Sequence, residues 1–188
     1  MFEHDLSFLK AGIIEMDNYL LSSELYWPVE HHTPSGDLPF QRLTLGALLL
    51  NQRKLNAYPL NSSQQAELNR LSVQLNSSRQ NWQVAWRKKA LREFQGRLNL
   101  WRDFLQGYRD DPAGNIDRYP YEVGRRVILQ LLTDELDQIP LSQQEMLSGL
   151  DKLLSAVVMV GDFVWEVVLE KEFPKTEFWY LYGSLKAA

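Results

Sequence analysis

The stretch SQQAELNRLSVQLNSSRQNWQVAWRKKALREFQGRLNLWRDFLQGY, residues 63–108, decides the fold. Its apolar residues return every three or four positions throughout, which is the spacing of one face of a helix. Ser62 or Ser63 is the expected N-cap, with Glu67 in the first turns. The apolar stripe changes course partway. On a wheel of about 100° per residue counted from Arg79, Leu68, Leu71, Leu75, Trp82 and Trp86 gather near 310°. Leu91, Phe94, Leu98, Trp101 and Leu105 gather at about 80°. Heptad drift of about −20° per seven residues cannot produce that displacement. Either the helix breaks, at Asn76-Ser77-Ser78, or it is continuous and its two halves bury different faces.

Working outward, the same periodicity continues on both sides. Leu6, Leu9, Ile13, Met16 and Leu20 predict a first helix from Leu6 to Leu25, with Asp5 as N-cap and Pro28 barring continuation. Residues 26–39, YWPVEHHTPSGDLP, read as a loop punctuated by three prolines and Gly36. A second helix is expected over Phe40–Tyr58, apolar nearly all round at Leu43–Leu50 and therefore central. After a loop at residues 109–120, a fourth helix covers Tyr121–Leu136 and a fifth runs from Gln143 to Glu170. The aromatic run Phe178-Trp179-Tyr180-Leu181-Tyr182 reads as a short helix or extended segment docked on the rest. Strand-like alternation is nearly absent. The fold class this predicts is all-α: an antiparallel bundle of about five helices in one domain spanning residues 1–188, one helix very long or broken near residues 76–78.

Composition narrows the function classes. The 188 residues contain no cysteine, which removes disulfides, thiolate metal sites and cysteine nucleophiles. The acidic start Met1-Phe2-Glu3-His4-Asp5 lacks the basic and apolar regions of a secretory signal. Asp162 and Glu166 interrupt the most apolar segment, Leu153–Leu169, so no membrane span is expected. Together these features point to the cytoplasm. The net charge of −4 conceals a basic segment: residues 79–102 hold seven cations against Glu93 alone, so they carry +6 and the remainder −10. That segment interleaves Trp82, Trp86, Phe94 and Trp101 with its cations, a pattern that can serve single-stranded nucleic acid. The aromatics sit at core spacing, however, and the acidic remainder opposes a nucleic-acid footprint, so no nucleic-acid partner is expected.

Candidate site residues fall in three places. On the expected fifth helix, Asp151, Ser155, Asp162, Glu166 and Glu170 share about 100° of arc. Asp162 and Glu166, four apart, could act as paired carboxylates with Arg125 and Arg126 as counter-ions. The plainer explanation is one solvated stripe on a helix buried elsewhere. The loop at residues 109–120 and its flank bring Asp117, Tyr121, Arg125 and Arg126 together, either as a ligand site or as caps and salt bridges. His31 and His32, adjacent in a loop, could bind metal with Glu30 or Asp37, although no ligand spacing supports it. Glycine-rich phosphate loops and Gly-x-Ser-x-Gly motifs are absent from the sequence.

The expected function is therefore that of a non-catalytic interaction or structural protein. Its expected partner is another protein or a second copy, as a homodimer joined through the displaced stripe, and no cofactor is expected. The alternative is a helical enzyme or a small-ligand or metal protein, using the carboxylates of the fifth helix with nearby arginine or histidine. Trp82, Trp101 and Trp165, each on an apolar stripe, are expected to be buried.

Overall fold

Acidic residues near a helix start and cations near its end offset the helix dipole; the first helix supplies the acidic residues itself and takes its cations from another helix. A computed structural model describes residues 2–29 and 40–186. Helix α1 covers Phe2–Leu21, with Glu3 and Asp5 in its first turn. Asp5 is thus inside the helix and not its cap. The helix ends four residues short of Leu25, where Ser22 donates from Oγ to the Tyr19 carbonyl at 2.9 Å. Arg92 and Lys89 add cationic donors to the carbonyls of Ser23 and Glu24 just beyond.

Helix α2 spans Leu45–Ala57, starting later than Phe40 because Thr44 is its N-cap. Residue 43 instead forms an isolated antiparallel bridge with Trp27. As its composition requires, residues 43–48 are all buried. Helix α3 covers Ser62–Asn81, and its cap is Asn61 in a reciprocal capping box with Gln64 rather than either serine. Helix α4 covers Gln83–Asp110.

The long segment is therefore interrupted, but at Trp82 and not at Asn76-Ser77-Ser78. Those three polar residues are helical, and Ser78 donates to Asp17 of α1 at 3.1 Å. Trp82 leaves helical geometry at φ −116°, ψ 33°, while its N–H still reaches the Ser78 carbonyl and its carbonyl still serves Trp86. The backbone ladder is nearly unbroken, so no polar breaker residue is needed there.

The chain divides into two compact units, Met1–Glu93 and Phe94–Ala188, with the boundary inside α4. This explains the displaced stripe. Leu68, Leu71, Leu75 and Trp86 belong to the first unit and Phe94, Leu98, Trp101 and Leu105 to the second, and all eight are buried. In the first unit α1 packs on α2 and α3. Gly12 permits close approach, since a Cβ there would come within 2.7 Å of Leu48 Cδ1. Gly96 and Gly149, by contrast, face open space and serve no packing role.

In the second unit the turn α5 (Pro112–Asn115) and a 3-10 turn at Ile116–Arg118 lead into α6, Tyr119–Thr133. Helix α7 covers Leu141–Val157 and stops thirteen residues before Glu170. The chain then turns extended as strand β1, Val158–Phe163, paired antiparallel with β2, Tyr182–Leu185, with an irregularity between Val160 and Phe163. The β-branched residues Val157, Val158 and Val160 favour a strand over another helical turn. Gly183, at φ +154°, lies where a Cβ would collide with the Met159 carbonyl. The protein is thus mostly helical with a two-stranded sheet.

Between the strands, Trp165, Phe173, Phe178 and Tyr180 make successive edge-to-face contacts at 5.2–6.2 Å. Trp101 is fully buried as expected, whereas Trp82 and Trp165 are only half-buried. Trp165 spends its indole N–H on the Pro120 carbonyl at 2.8 Å.

Two buried tyrosines give an alkaline signature. Burial, reinforced by Glu93 for Tyr19 and by Tyr180 for Tyr119, pushes both phenols well above the ordinary tyrosine value. The unfolded chain would ionise these groups near pH 10 and the folded chain would not. Their contribution to stability is full below about pH 10 and is lost as pH rises toward the folded values. Phenolate absorbance during an alkaline titration should show both tyrosines silent until a cooperative unfolding step; smooth ionisation of all eight tyrosines at ordinary pKa would contradict this.

Candidate functional site

Helix α6 buries Val123, Val127 and Leu131 at helical spacing, and the same inward side carries two charged residues, Glu122 and Arg126. Glu122, with its side chain 2% exposed, is held between Arg118, at 2.7 Å, and Arg125. Arg126 lies beneath α7. Its Nε and one terminal nitrogen donate to the two carboxylate oxygens of Asp151 at 2.8 and 2.9 Å, a bidentate fork. The guanidinium also stands 4.6 Å from the centre of the Tyr180 ring. Burial opposes the charge on Arg126, but the hydrogen bond to Asp151 and the charges of Tyr180 and Asp151 outweigh it and hold its pKa above the ordinary value.

Asp151 is also on the wall of a cleft of about 730 Å3 between α7 and residues 130–139. Leu136, Ile139, Leu147 and Trp179 supply its apolar surface, and Gln130, Gln138, Gln144, Ser148 and Ser155 supply amides and hydroxyls. Lys152 and Asp137 stand at the same cleft. The arrangement offers hydrogen bonding with little net charge, because Arg126 already neutralises Asp151.

The other flank of α7 is poorly covered. Of its seventeen residues, Leu154 alone is buried. Met146, Leu150, Leu153 and Val157, spaced four, three and four apart, form a heptad-like seam, with Met146 36% exposed and the others half-buried. Met159 and Val160, at 47% and 77%, extend exposed apolar surface onto β1.

The residues singled out from sequence are distributed as follows. Arg126 meets a carboxylate of α7, but that carboxylate is Asp151. Asp162 is on β1 and Glu166 follows it, both exposed, so the expected helical pair does not exist: the helix ends before either residue. Arg125 pairs with Glu122 and lies 3.4 Å from the Leu100 carbonyl, tying α6 to α4. Asp117 and Tyr121 are exposed, Tyr121 by 80%, and do not join Arg126. His31 and His32 lie outside the described residues. Among the described residues no group of three His, Cys, Asp or Glu side chains could hold a metal ion. No helix among them is long and apolar enough to cross a membrane. Glu122 went unselected, although Arg118-x-x-x-Glu122-x-x-Arg125 spacing on a helix signals a charge triplet.

No known protein family, curated protein or solved structure matches this chain.

Proposed function

We propose that this protein is a non-catalytic interaction protein of the cytoplasm that assembles as a homodimer through α7. The observation that carries this reading is the half-covered seam Met146, Leu150, Leu153 and Val157. Uncovered apolar stripes on a helix mark interaction surfaces. The occupant is a second copy because the spacing is palindromic. Run antiparallel about a two-fold axis, the seam sets Met146 against Val157 and Leu150 against Leu153, in both directions. The stripe in residues 63–108 no longer supplies a motive for dimerisation, since all of its residues are buried except Trp82 and Leu91, which are half-buried. On this reading the helices of each unit form an antiparallel bundle, and α7 serves as the edge helix that the partner completes.

Size-exclusion chromatography with light scattering tests the proposal. The expected mass is twice the 22.0 kDa of one chain at micromolar concentration. Leu150→Glu and Leu153→Glu, each at a half-exposed position, should return the protein to monomer while circular dichroism stays helical. A wild-type monomer at every concentration would refute the dimer.

One observation favours a second reading, a small-ligand or metal protein or enzyme. The Asp151–Arg126 pair stands at the wall of a 730 Å3 cleft, within the size of small-molecule sites. Elemental analysis and thermal shift against metals and metabolites distinguish the two.

A further inference from the structure

The first unit carries a second cleft, of about 540 Å3, where the end of α1 faces the first turns of α4. Lys88, Lys89 and Arg92 line it, and Trp82 and Ala85 share their helix face. Among the described residues, no carboxylate lines the cleft. Three cations within five residues of one helix repel one another, and one of them, Lys89, is also buried. Lys89, 3% exposed, shows the strain: burial first, and then Arg92, hold its ammonium below the ordinary lysine value, with Glu24 as a partial offset.

Lys88 and Arg92 are only partly used. Lys89 donates to Ser22 Oγ at 3.2 Å and to the Glu24 carbonyl, and its ammonium stands 4.3 Å from the centre of the Tyr19 ring, so it adds charge to the cleft but no free donor. Arg92 donates to the Ser23 carbonyl at 2.8 Å through one of five N–H groups. Lys88 is exposed. The spare donors of Lys88 and Arg92 therefore sit on one helix, and Arg92 is held by its bond to the turn after α1. Lys and Arg side by side suit a phosphate dianion, Lys88 as a point charge and Arg92 as a fork. Trp82, half-buried at the interruption between α3 and α4, adds an indole to the same cleft. Bases stack on such surfaces without sequence preference.

We propose that this cleft binds a small phosphate monoester bearing a flat ring, of mononucleotide size, with the phosphate on Lys88 and Arg92, beside the buried charge of Lys89, and the ring against Trp82. The cleft volume falls within the range of small-molecule sites. This proposal is independent of the dimer, because it rests on the first unit.

Titration calorimetry of the full chain with adenosine monophosphate, inorganic phosphate and adenosine at low ionic strength tests it. The monophosphate should saturate one site per chain, and phosphate and adenosine should each bind at least about tenfold more weakly. Lys88→Glu should weaken the monophosphate about tenfold at unchanged thermal stability, while Lys152→Glu, in the other unit, leaves affinity unchanged. Trp82→Ala should erase the advantage of the monophosphate over inorganic phosphate. The proposal is overturned if millimolar monophosphate gives no saturation or if Lys88→Glu leaves affinity intact. Equal affinity for inorganic phosphate and the monophosphate in the wild type also overturns it, as it would leave the indole no part in binding.

Discussion

Replacing Glu93 by alanine should lower the unfolding free energy by about 3–5 kcal/mol, one of the two largest losses expected from a polar substitution in this chain. Glu93 is fully buried. Its carboxylate accepts the Thr44 hydroxyl at 2.6 Å and the Gly46 N–H at 2.8 Å, so it caps α2 from another helix. Thr44 in turn accepts the Ala47 N–H at 3.1 Å. Alanine would leave two buried donors without their acceptor, and each such orphan costs about 1–3 kcal/mol. Loss of the negative charge from the start of α2 adds to this. Urea unfolding followed by circular dichroism measures the effect. Glu93→Gln keeps one acceptor oxygen and should recover part of the loss; a cost below about 1 kcal/mol for alanine would show that the carboxylate does not hold α2.

The second large effect is at the Asp151–Arg126 fork. Asp151→Ala would leave the 7%-exposed guanidinium without its carboxylate. Fully buried pairs lose about 3–5 kcal/mol when one partner is removed. Asp151 is 26% exposed, so water can replace part of the interaction and the expected loss is about 2–4 kcal/mol. The double variant Arg126→Met with Asp151→Ala should cost much less than the two single changes combined, because no charge is left stranded. Additive costs in the double-mutant cycle would mean that the fork is not a coupled unit.

Much of the helical fold was legible because periodicity of three and four extends over most of the chain. What escaped were its interruptions. Trp82 is not a breaker residue, and its change of geometry leaves the hydrogen-bond ladder almost intact, so local composition gave no sign of it. Strand β1 escaped because Val157-Val158-Met159-Val160 continues an apolar run out of a leucine-rich helix, and short apolar runs do not distinguish helix from strand. Its partner, Tyr182–Leu185, lies beyond two 3-10 turns, and no local pattern announces that pairing. The candidate site was legible in part. Arg126 and Asp151 were both recognisable as polar residues on largely apolar helices. Which carboxylate Arg126 takes depends on where α7 ends, and that end was misplaced by the overlooked strand.

The displaced stripe in α4 also limits how the protein can be taken apart. Glu93 and Phe94 are consecutive, both fully buried, and assigned to different units. The border between the units therefore runs through a helix and not through a linker. A fragment ending at the turn after Asp110 would take Phe94, Leu98, Trp101 and Leu105 away from the second unit. One beginning at that turn would lack the aromatic and leucine side chains that its core requires. Proteases, which cut loops more readily than helices, should find no site at this border. The two halves are then inherited, cut or transplanted together, and neither can be exchanged without redrawing a helix that belongs to both.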